Sequence, residues 1–170
     1  MKKRILFVSE IAPSNGIASS VLLYRHLKML EESGCEINVL MYDSQGGESL
    51  PNSWNVKKLA SRKWWYPPYR PHNAFKWVRF LILYLESIKF IKEARPDVVI
   101  GFLHGVYYSG FAAFISKRIG KPLTVFYHDR TEKLLYHNDI RMQAVAYKHN
   151  SYVIDQALKV WTVSPQLTYP

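Results

Sequence analysis

Short apolar runs alternate along the chain with longer amphipathic stretches. The apolar runs are typical of strands and span 4–8, 36–42, 55–59, 97–102, 122–128 and 158–164. The amphipathic stretches predict helices over 19–34, 73–94, 108–120 and 139–157. Strands that alternate with helices usually form a parallel sheet with helices on both faces. The pattern therefore predicts an α/β fold, a doubly wound and mostly parallel sheet, in one domain over residues 1–170.

Three loops follow predicted strands at positions where an open parallel sheet binds ligands, beyond the carboxyl ends of its strands. They span 9–20, 103–110 and 128–133. In the first loop, Gly16 precedes a helix, so the backbone there can approach an anion held by unpaired N–H groups. Ser19 and Ser20 can add hydroxyl groups. A simple turn with a helix cap is the alternative.

Two histidines stand at predicted strand ends, His104 before Gly105 and His128 before Asp129. An imidazole there can bond a phosphate or a sugar hydroxyl, or act as a base, so we interpret both as functional. A structural role is the alternative, and Asp129 can orient His128, bond a sugar or cap the next segment. The remaining histidines lack such placement and are interpreted as solvated or structural: His26, His72, His137 and His149.

Several classes of protein are disfavoured by what the sequence lacks. It has neither G-x-G-x-x-G nor G-x-x-x-x-G-K-[ST], which argues against a NAD enzyme or P-loop ATPase. No C-x-x-C or H-E-x-x-H spacing suggests a metal site, so we expect no metal. Cys35 is the only cysteine, which fits a reducing compartment and a structural role. The first apolar run is too short for a signal peptide, so we expect a cytoplasmic protein with at most peripheral membrane contact.

The formal charge of +10 implies an anionic partner. Residues 61–80, here called the basic aromatic segment, combine three tryptophans with five Lys or Arg and no acid. Such residues favour a bilayer interface and anionic headgroups, which predicts contact with an anionic membrane or a lipid-linked acceptor. The predicted contact residues are Arg62, Lys63, Trp64, Trp65, Tyr66, Arg70 and Trp77.

Two alternative roles for this segment stay open. Its aromatic rings can stack on acceptor sugars, or the apolar residues can simply pack on the sheet: Phe75, Val78, Leu81, Ile82 and Leu85. Nucleic acid is disfavoured as a partner because no recognisable binding module accompanies the aromatic residues.

Three stretches together resemble a known family. Residues 5–43 carry a strand, the loop Pro13-Ser14-Asn15-Gly16, a helix and SGCEINVL; residues 96–129 run strand, His, helix, Pro, strand, His; and residues 154–167 read IDQALKVWTVSPQL. This order resembles the N-terminal domain of GT-B glycosyltransferases of the family 4, or group 1, type. The family usually has two glycines in the first loop, and Asn15 replaces one of them.

The resemblance implies a Rossmann-like N-terminal half of a GT-B fold, which binds the acceptor. A C-terminal domain, absent from residues 1–170, would bind most of the nucleotide sugar through a Glu-x7-Glu motif, so this chain alone is expected to be inactive. Retention of configuration is likewise implied, and no cofactor, because the nucleotide sugar is a substrate. By position, His128 with Asp129 would be catalytic. Substrate binding would fall to Asn15, Gly16, Ser19, His104 and Gly105.

The resulting hypothesis is an acceptor-binding domain of a nucleotide-sugar-dependent glycosyltransferase, acting in bacterial surface glycan or glycolipid synthesis at the membrane. The alternative is a non-catalytic Rossmann-like module that docks to an anionic membrane or a partner subunit. A Glu-x7-Glu half, in the same polypeptide or a partner, would distinguish them.

Overall fold

The computed structural model describes residues 2–14, 18–42, 50–59, 73–103, 106–128 and 138–162. Within them, six strands form one sheet: β1 Arg4–Ser9, β2 Glu36–Tyr42, β3 Asn55–Leu59, β4 Val98–Phe102, β5 Leu123–Tyr127 and β6 Lys159–Thr162. Four helices connect or flank them: α1 Ala18–Glu32, α2 Asn73–Ala94, α3 Val106–Ile119 and α4 Ile140–Asp155. All ten predicted elements are present, with small differences at their ends.

The strands lie in the order β3-β2-β1-β4-β5-β6, and every neighbouring pair is parallel. The chain runs outward from β1 to β3, returns through α2 to the other side of β1, and runs outward again to β6. The sheet is therefore doubly wound, and the order reverses between β1 and β4. This confirms the predicted fold class.

Helices cover both faces of the sheet, but unequally. On one face, the α1 face, strand residues such as Phe7 and Val39 pack against Leu23 and Leu27 of α1. On the other, the three-helix face, strand residues pack against α2, α3 and α4 through Phe80, Ile91, Phe111, Ile115 and Val153. Because both faces are buried, the central strands read as nearly continuous apolar runs rather than as alternating ones.

A glycine ends α1, and the chain turns there towards β2. Gly34 has φ +90°, a left-handed conformation that glycine adopts without strain. Its N–H donates to the Glu31 carbonyl at 2.8 Å, and the Cys35 N–H donates to the Leu30 carbonyl at 3.0 Å. This pair of bonds is the Schellman motif, which satisfies carbonyls that the helix end would leave open.

The exposure of apolar residues on α2 argues against part of the alternative that they pack on the sheet. Val78, Leu81 and Leu85 are 49%, 42% and 59% exposed, so these three lie away from it. The helix is apolar around most of its circumference, and its buried side is the one that carries Phe80 and Ile91. Trp54, by contrast, is buried in the core of the α1 face and contacts Tyr24 at 5.5 Å between ring centroids.

None of the helices within the described residues is both long and apolar enough to cross a membrane.

Candidate functional site

Three adjacent strands end at the edge where the sequence predicts ligand binding. β1 pairs with β4, and β4 pairs with β5, all in parallel, so their carboxyl ends meet at one edge of the sheet. The three candidate loops follow these strands. β1 and β4 also flank the reversal of strand order, the place where open α/β sheets bind ligands.

The loop after β1 is tied back to the first turn of α1. The Ile11 N–H donates to Ser9 Oγ at 3.1 Å. Further along, the Ser14 N–H donates to the Ser20 carbonyl at 3.2 Å, and the two serine hydroxyls lie 3.0 Å apart. Ser20 is buried, so its hydroxyl serves the loop rather than an open ligand site. These contacts fix the position of the loop relative to the start of the helix.

His128 follows the last residue of β5 and is partly exposed. Its ring meets the ring of Phe102, the last residue of β4, at 6.5 Å between centroids and 63° between planes. The Leu103 N–H donates to the Phe126 carbonyl at 2.9 Å, which holds the end of β4 against β5. The imidazole therefore lies at the carboxyl edge, over a rigid aromatic support and within reach of solvent.

His26 is a second histidine near this support, and no local sequence pattern selects it. Its ring lies 5.1 Å from the ring of Phe126, at 62°. Phe126 and Phe102 are register partners on adjacent strands, so His26 and His128 contact neighbouring rings on the same face of the sheet. Only the strand order together with the packing of α1 on the sheet reveals this, because residues 26, 102 and 126 are far apart in sequence.

The hydrogen bond of His26 indicates which of its ring nitrogens carries a proton. Nδ1 lies 2.8 Å from the Leu22 carbonyl oxygen, which can only accept a hydrogen bond. Nδ1 therefore carries a proton, and in the neutral ring Nε2 is the acceptor. The contact also holds the ring against α1, which agrees with a structural role for the residue.

The aromatic support continues onto β6. Trp161 is the register partner of Phe126, and their rings lie 4.7 Å apart. Phe102, Phe126 and Trp161 thus form a row across three strands on the α1 face, and Lys159 Nζ lies 5.5 Å from the centre of the Trp161 ring. Phe102 and Phe126 are buried, so they support the histidines rather than stack on a ligand.

Most of the predicted site falls outside the described residues. This applies to Asn15, Gly16, His104, Gly105 and Asp129, to the side chain of Ser19, and to Arg62, Lys63, Trp64, Trp65, Tyr66 and Arg70. The structure describes two of the predicted site residues, His128 and Trp77. Trp77 lies near the start of α2, is 48% exposed, and contacts Phe80 edge-on at 5.8 Å.

The structure also bears on His149 and on metal binding. His149 lies on the buried side of α4, which agrees with a structural role and excludes a solvated one. Among the described residues, no group of three or more His, Cys, Asp or Glu could hold a metal ion.

Comparison with known proteins identifies the family. The sequence profile of Glycosyltransferase Family 4 matches residues 19–167. The chain belongs to this family. A search of curated protein sequences found no match.

A solved structure shares the fold. Sucrose-phosphate synthase from Thermosynechococcus elongatus matches with a TM-score of 0.67 and 12% sequence identity. The match covers 97% of the present chain and 43% of the synthase chain, so the chain spans less than half the length of that protein. At this identity the likeness concerns the fold, a Rossmann-like sheet of the kind found in GT-B glycosyltransferases.

Proposed function

We propose that this chain is the acceptor-binding domain of a nucleotide-sugar-dependent glycosyltransferase that works at a membrane surface, in the synthesis of a bacterial surface glycan or glycolipid. The donor would be bound mainly by a separate C-terminal domain, so residues 1–170 alone would be inactive. Family membership supports glycosyl transfer. The observation that supports this edge of the sheet as the site is His128, partly exposed at the end of β5 beside the end of β4.

The proposed chemistry is mostly positioning and charge stabilisation. Transfer of a glycosyl group breaks the bond between the sugar and the phosphate of the nucleotide, so the nucleotide leaves with negative charge and positive charge develops on the sugar. Catalysis therefore depends on groups held in place before the reaction. The Phe102 ring supports the His128 imidazole, which would bond the transferred sugar, with Asp129 next to it. The backbone at Asn15 and Gly16, with Ser19, would approach the donor phosphate or the acceptor. His104 and Gly105 would line the acceptor side.

The test is a transfer assay with the protein purified from its own cells. Radiolabelled nucleotide sugars are supplied one at a time, with membranes from the same cells as acceptor. We expect transfer from at least one donor, and His128→Ala to lower kcat by about a hundredfold, the size of effect seen when one positioned donor is removed from a reaction centre. Lys148→Ala, which changes an exposed side chain on α4, is the control and should leave kcat unchanged.

Each part of this proposal has its own contradicting result. If no donor supports transfer, the chain is not part of a competent transferase, and the non-catalytic binding module becomes the better assignment. If transfer occurs and His128→Ala retains full kcat, the enzyme assignment stands and the role of His128 is wrong. His26→Ala, measured in parallel, shows whether the second histidine over the aromatic row contributes.

Membrane contact is supported by the outer side of α2. Trp77, Val78, Leu81 and Leu85 are between 42% and 59% exposed and lie along one side of the helix. An exposed apolar row of this kind is unusual on a soluble surface and fits partial burial in a lipid interface. The row begins inside the basic aromatic segment, whose Lys and Arg residues would add roughly 1 kcal/mol each near anionic headgroups.

Co-sedimentation with liposomes tests this contact. We expect binding to vesicles containing phosphatidylglycerol, weaker binding to phosphatidylcholine alone, and loss of binding as salt rises. Leu81→Ser with Leu85→Ser should weaken binding, whereas Leu158→Ser, at a position 80% exposed before β6, should not. Equal binding by both variants, or no preference for acidic lipid, would exclude the outer side of α2 as a membrane contact.

A further inference from the structure

A cavity of about 460 Å³ lies among α2, α3 and α4, on the three-helix face. Its described lining residues all belong to these helices or the turn that ends α4, and none of them to a strand. The sheet therefore separates the cavity from the α1 face, where the ring of His128 contacts Phe102. Its volume is in the range of about 300–1,000 Å³ typical of small-molecule sites.

One wall of the cavity is a cluster of three aromatic rings. Trp77 lies 5.8 Å from Phe80 and 6.2 Å from Phe114, and Phe80 lies 5.9 Å from Phe114, between centroids. Phe80 is fully buried, whereas Trp77 is about half exposed. The wall therefore runs from a closed inner end to a mouth at Trp77, and it offers a continuous apolar surface.

The inner end is closed by a close approach of helices. A Cβ at Gly110 would lie 2.6 Å from His149 Cε1 and 2.9 Å from Phe80 Cζ. These rings sit where any other residue at 110 would place its side chain. His149 is 6% exposed and lines the cavity, so its imidazole is held in a fixed position there. The cavity is thus already formed without a ligand.

The two charged residues among the described lining residues are both basic. Lys117 and Arg118 lie in the last turn of α3 and are exposed, and no acidic residue is among the described residues that line the cavity. The Arg118 guanidinium carbon lies 5.4 Å from the centre of the Phe114 ring, a cation–π contact that holds the charge beside the aromatic wall. The carboxyl end of a helix carries about half a negative charge, which two full positive charges outweigh.

We propose that this cavity binds an amphiphilic phosphate, a single alkyl chain with a phosphate head. The phosphate would lie on Lys117 and Arg118, because both are positive and no carboxylate accompanies them among the described lining residues. The chain would lie on the rings of Trp77, Phe80 and Phe114. Beyond Trp77, the exposed Val78, Leu81 and Leu85 continue the apolar surface for a chain longer than the cavity.

The proposal does not depend on glycosyl transfer, and dodecyl phosphate below its micelle concentration is the probe that tests it. Calorimetry with the full chain should show one site per molecule. Inorganic phosphate and dodecyl maltoside should each bind at least about tenfold more weakly, because each lacks one half of the ligand. Lys117→Ala with Arg118→Ala should weaken dodecyl phosphate about tenfold, the loss expected for one or two charge-assisted hydrogen bonds.

Two further variants keep the test specific. Lys89→Ala with Lys92→Ala removes the same charge from exposed positions of α2 outside the cavity and should change affinity less than about twofold, since distant surface charges are screened. Ala113→Met extends a side chain from a lining position into the cavity and should reduce binding. Circular dichroism checks that each variant is folded, and the lysine and arginine variants change only exposed side chains.

Each of the following results would overturn the proposal. They are no binding of dodecyl phosphate, equal binding of inorganic phosphate, equal binding of the maltoside, and equal losses in the two paired charge variants. Binding to acidic vesicles without binding to the monomeric probe is also a negative result, because it assigns the lipid contact to a surface rather than to this cavity.

Discussion

At the residue scale, β4 and α3 approach each other closely where a strand glycine faces a helix alanine. A Cβ at Gly101 of β4 would lie 2.8 Å from the Cβ of Ala112 of α3. We expect Gly101→Ala to lower the free energy of unfolding by about 1–3 kcal/mol, because the helix must move away from the sheet. Urea denaturation measures the change.

A second substitution separates this clash from a general effect of the mutation. Ala112→Gly removes the opposing methyl group and by itself should cost about 1 kcal/mol through helix propensity. If the contact matters, the double variant will be more stable than the sum of the two single effects predicts. Additive losses would show that the contact is not the cause.

A pH-dependent prediction concerns Asp97, which joins the start of β4 to β1. The Arg4 N–H donates to Asp97 Oδ2 at 2.8 Å, and Arg4 Nε lies 3.6 Å from the same oxygen. The backbone hydrogen bond from Arg4 is the main cause that lowers the pKa of Asp97, and the Arg4 side chain adds to it. A carboxyl whose pKa is lower in the folded state stabilises the fold above its unfolded pKa, and this contribution is lost as acid protonates it.

Melting temperatures between about pH 7 and about pH 3 check this sign. We expect Asp97→Asn to lower the melting temperature at neutral pH and to reduce the further loss below about pH 4, where the wild-type carboxyl becomes protonated. Asp155→Asn, at an exposed position at the end of α4, is the comparison. Parallel curves for wild type and Asp97→Asn would contradict the assignment.

At the scale of the element, the end of α1 depends on the backbone of one residue. Gly34 has φ +90° and nothing within 4 Å of where a Cβ would be, so only conformation opposes a side chain there. Gly34→Ala should destabilise the protein by about 1–2 kcal/mol, the cost of the left-handed region for an ordinary residue. Gly34→Asn should cost less, because asparagine tolerates that region. Equal losses in thermal denaturation would point to another cause.

The elements themselves were predictable from sequence because local signals marked them. Gly34, Gly120 and Pro96 stop helices, and the apolar runs between the helices have the lengths typical of strands. The orientation of α2 was not predictable. When a helix is apolar on most sides, the spacing of its apolar residues does not indicate which side faces the core. The exposure of Leu81 and Leu85 therefore becomes apparent only from the packing of the helix on the sheet.

The positions of the candidate site residues were predictable only in part. The rule that ligands bind at strand carboxyl ends selected His128, and the strand order supports its position beside the end of β4. His26 could not be selected, because it lies in the middle of a helix and approaches Phe126 only through the packing of α1 on the sheet. Nothing in local sequence carries that information.

At the scale of the whole molecule, the sheet order predicts which backbone amides are best protected. β1 and β4 are central, covered on both faces and paired on both edges, whereas β3 and β6 are the edge strands of the described sheet. Hydrogen–deuterium exchange should therefore be slowest over residues 5–8 and 99–101 and fastest in β6. Protection of β6 equal to that of β4 would indicate that another chain segment or a partner pairs with its outer edge.

The order of the strands also has a consequence for how the protein folds during its synthesis on the ribosome. Arg4 meets Asp97 across 93 positions of sequence, so β1 lacks one of its two neighbours until β4 has left the ribosome. The pairing of β1, β2 and β3 with α1 can precede it, but Leu6 and Val8 then face water, because α3 has not been synthesised. We expect the growing chain to expose an apolar sheet face from the synthesis of β2 until that of α3, and to rely on chaperones during that interval.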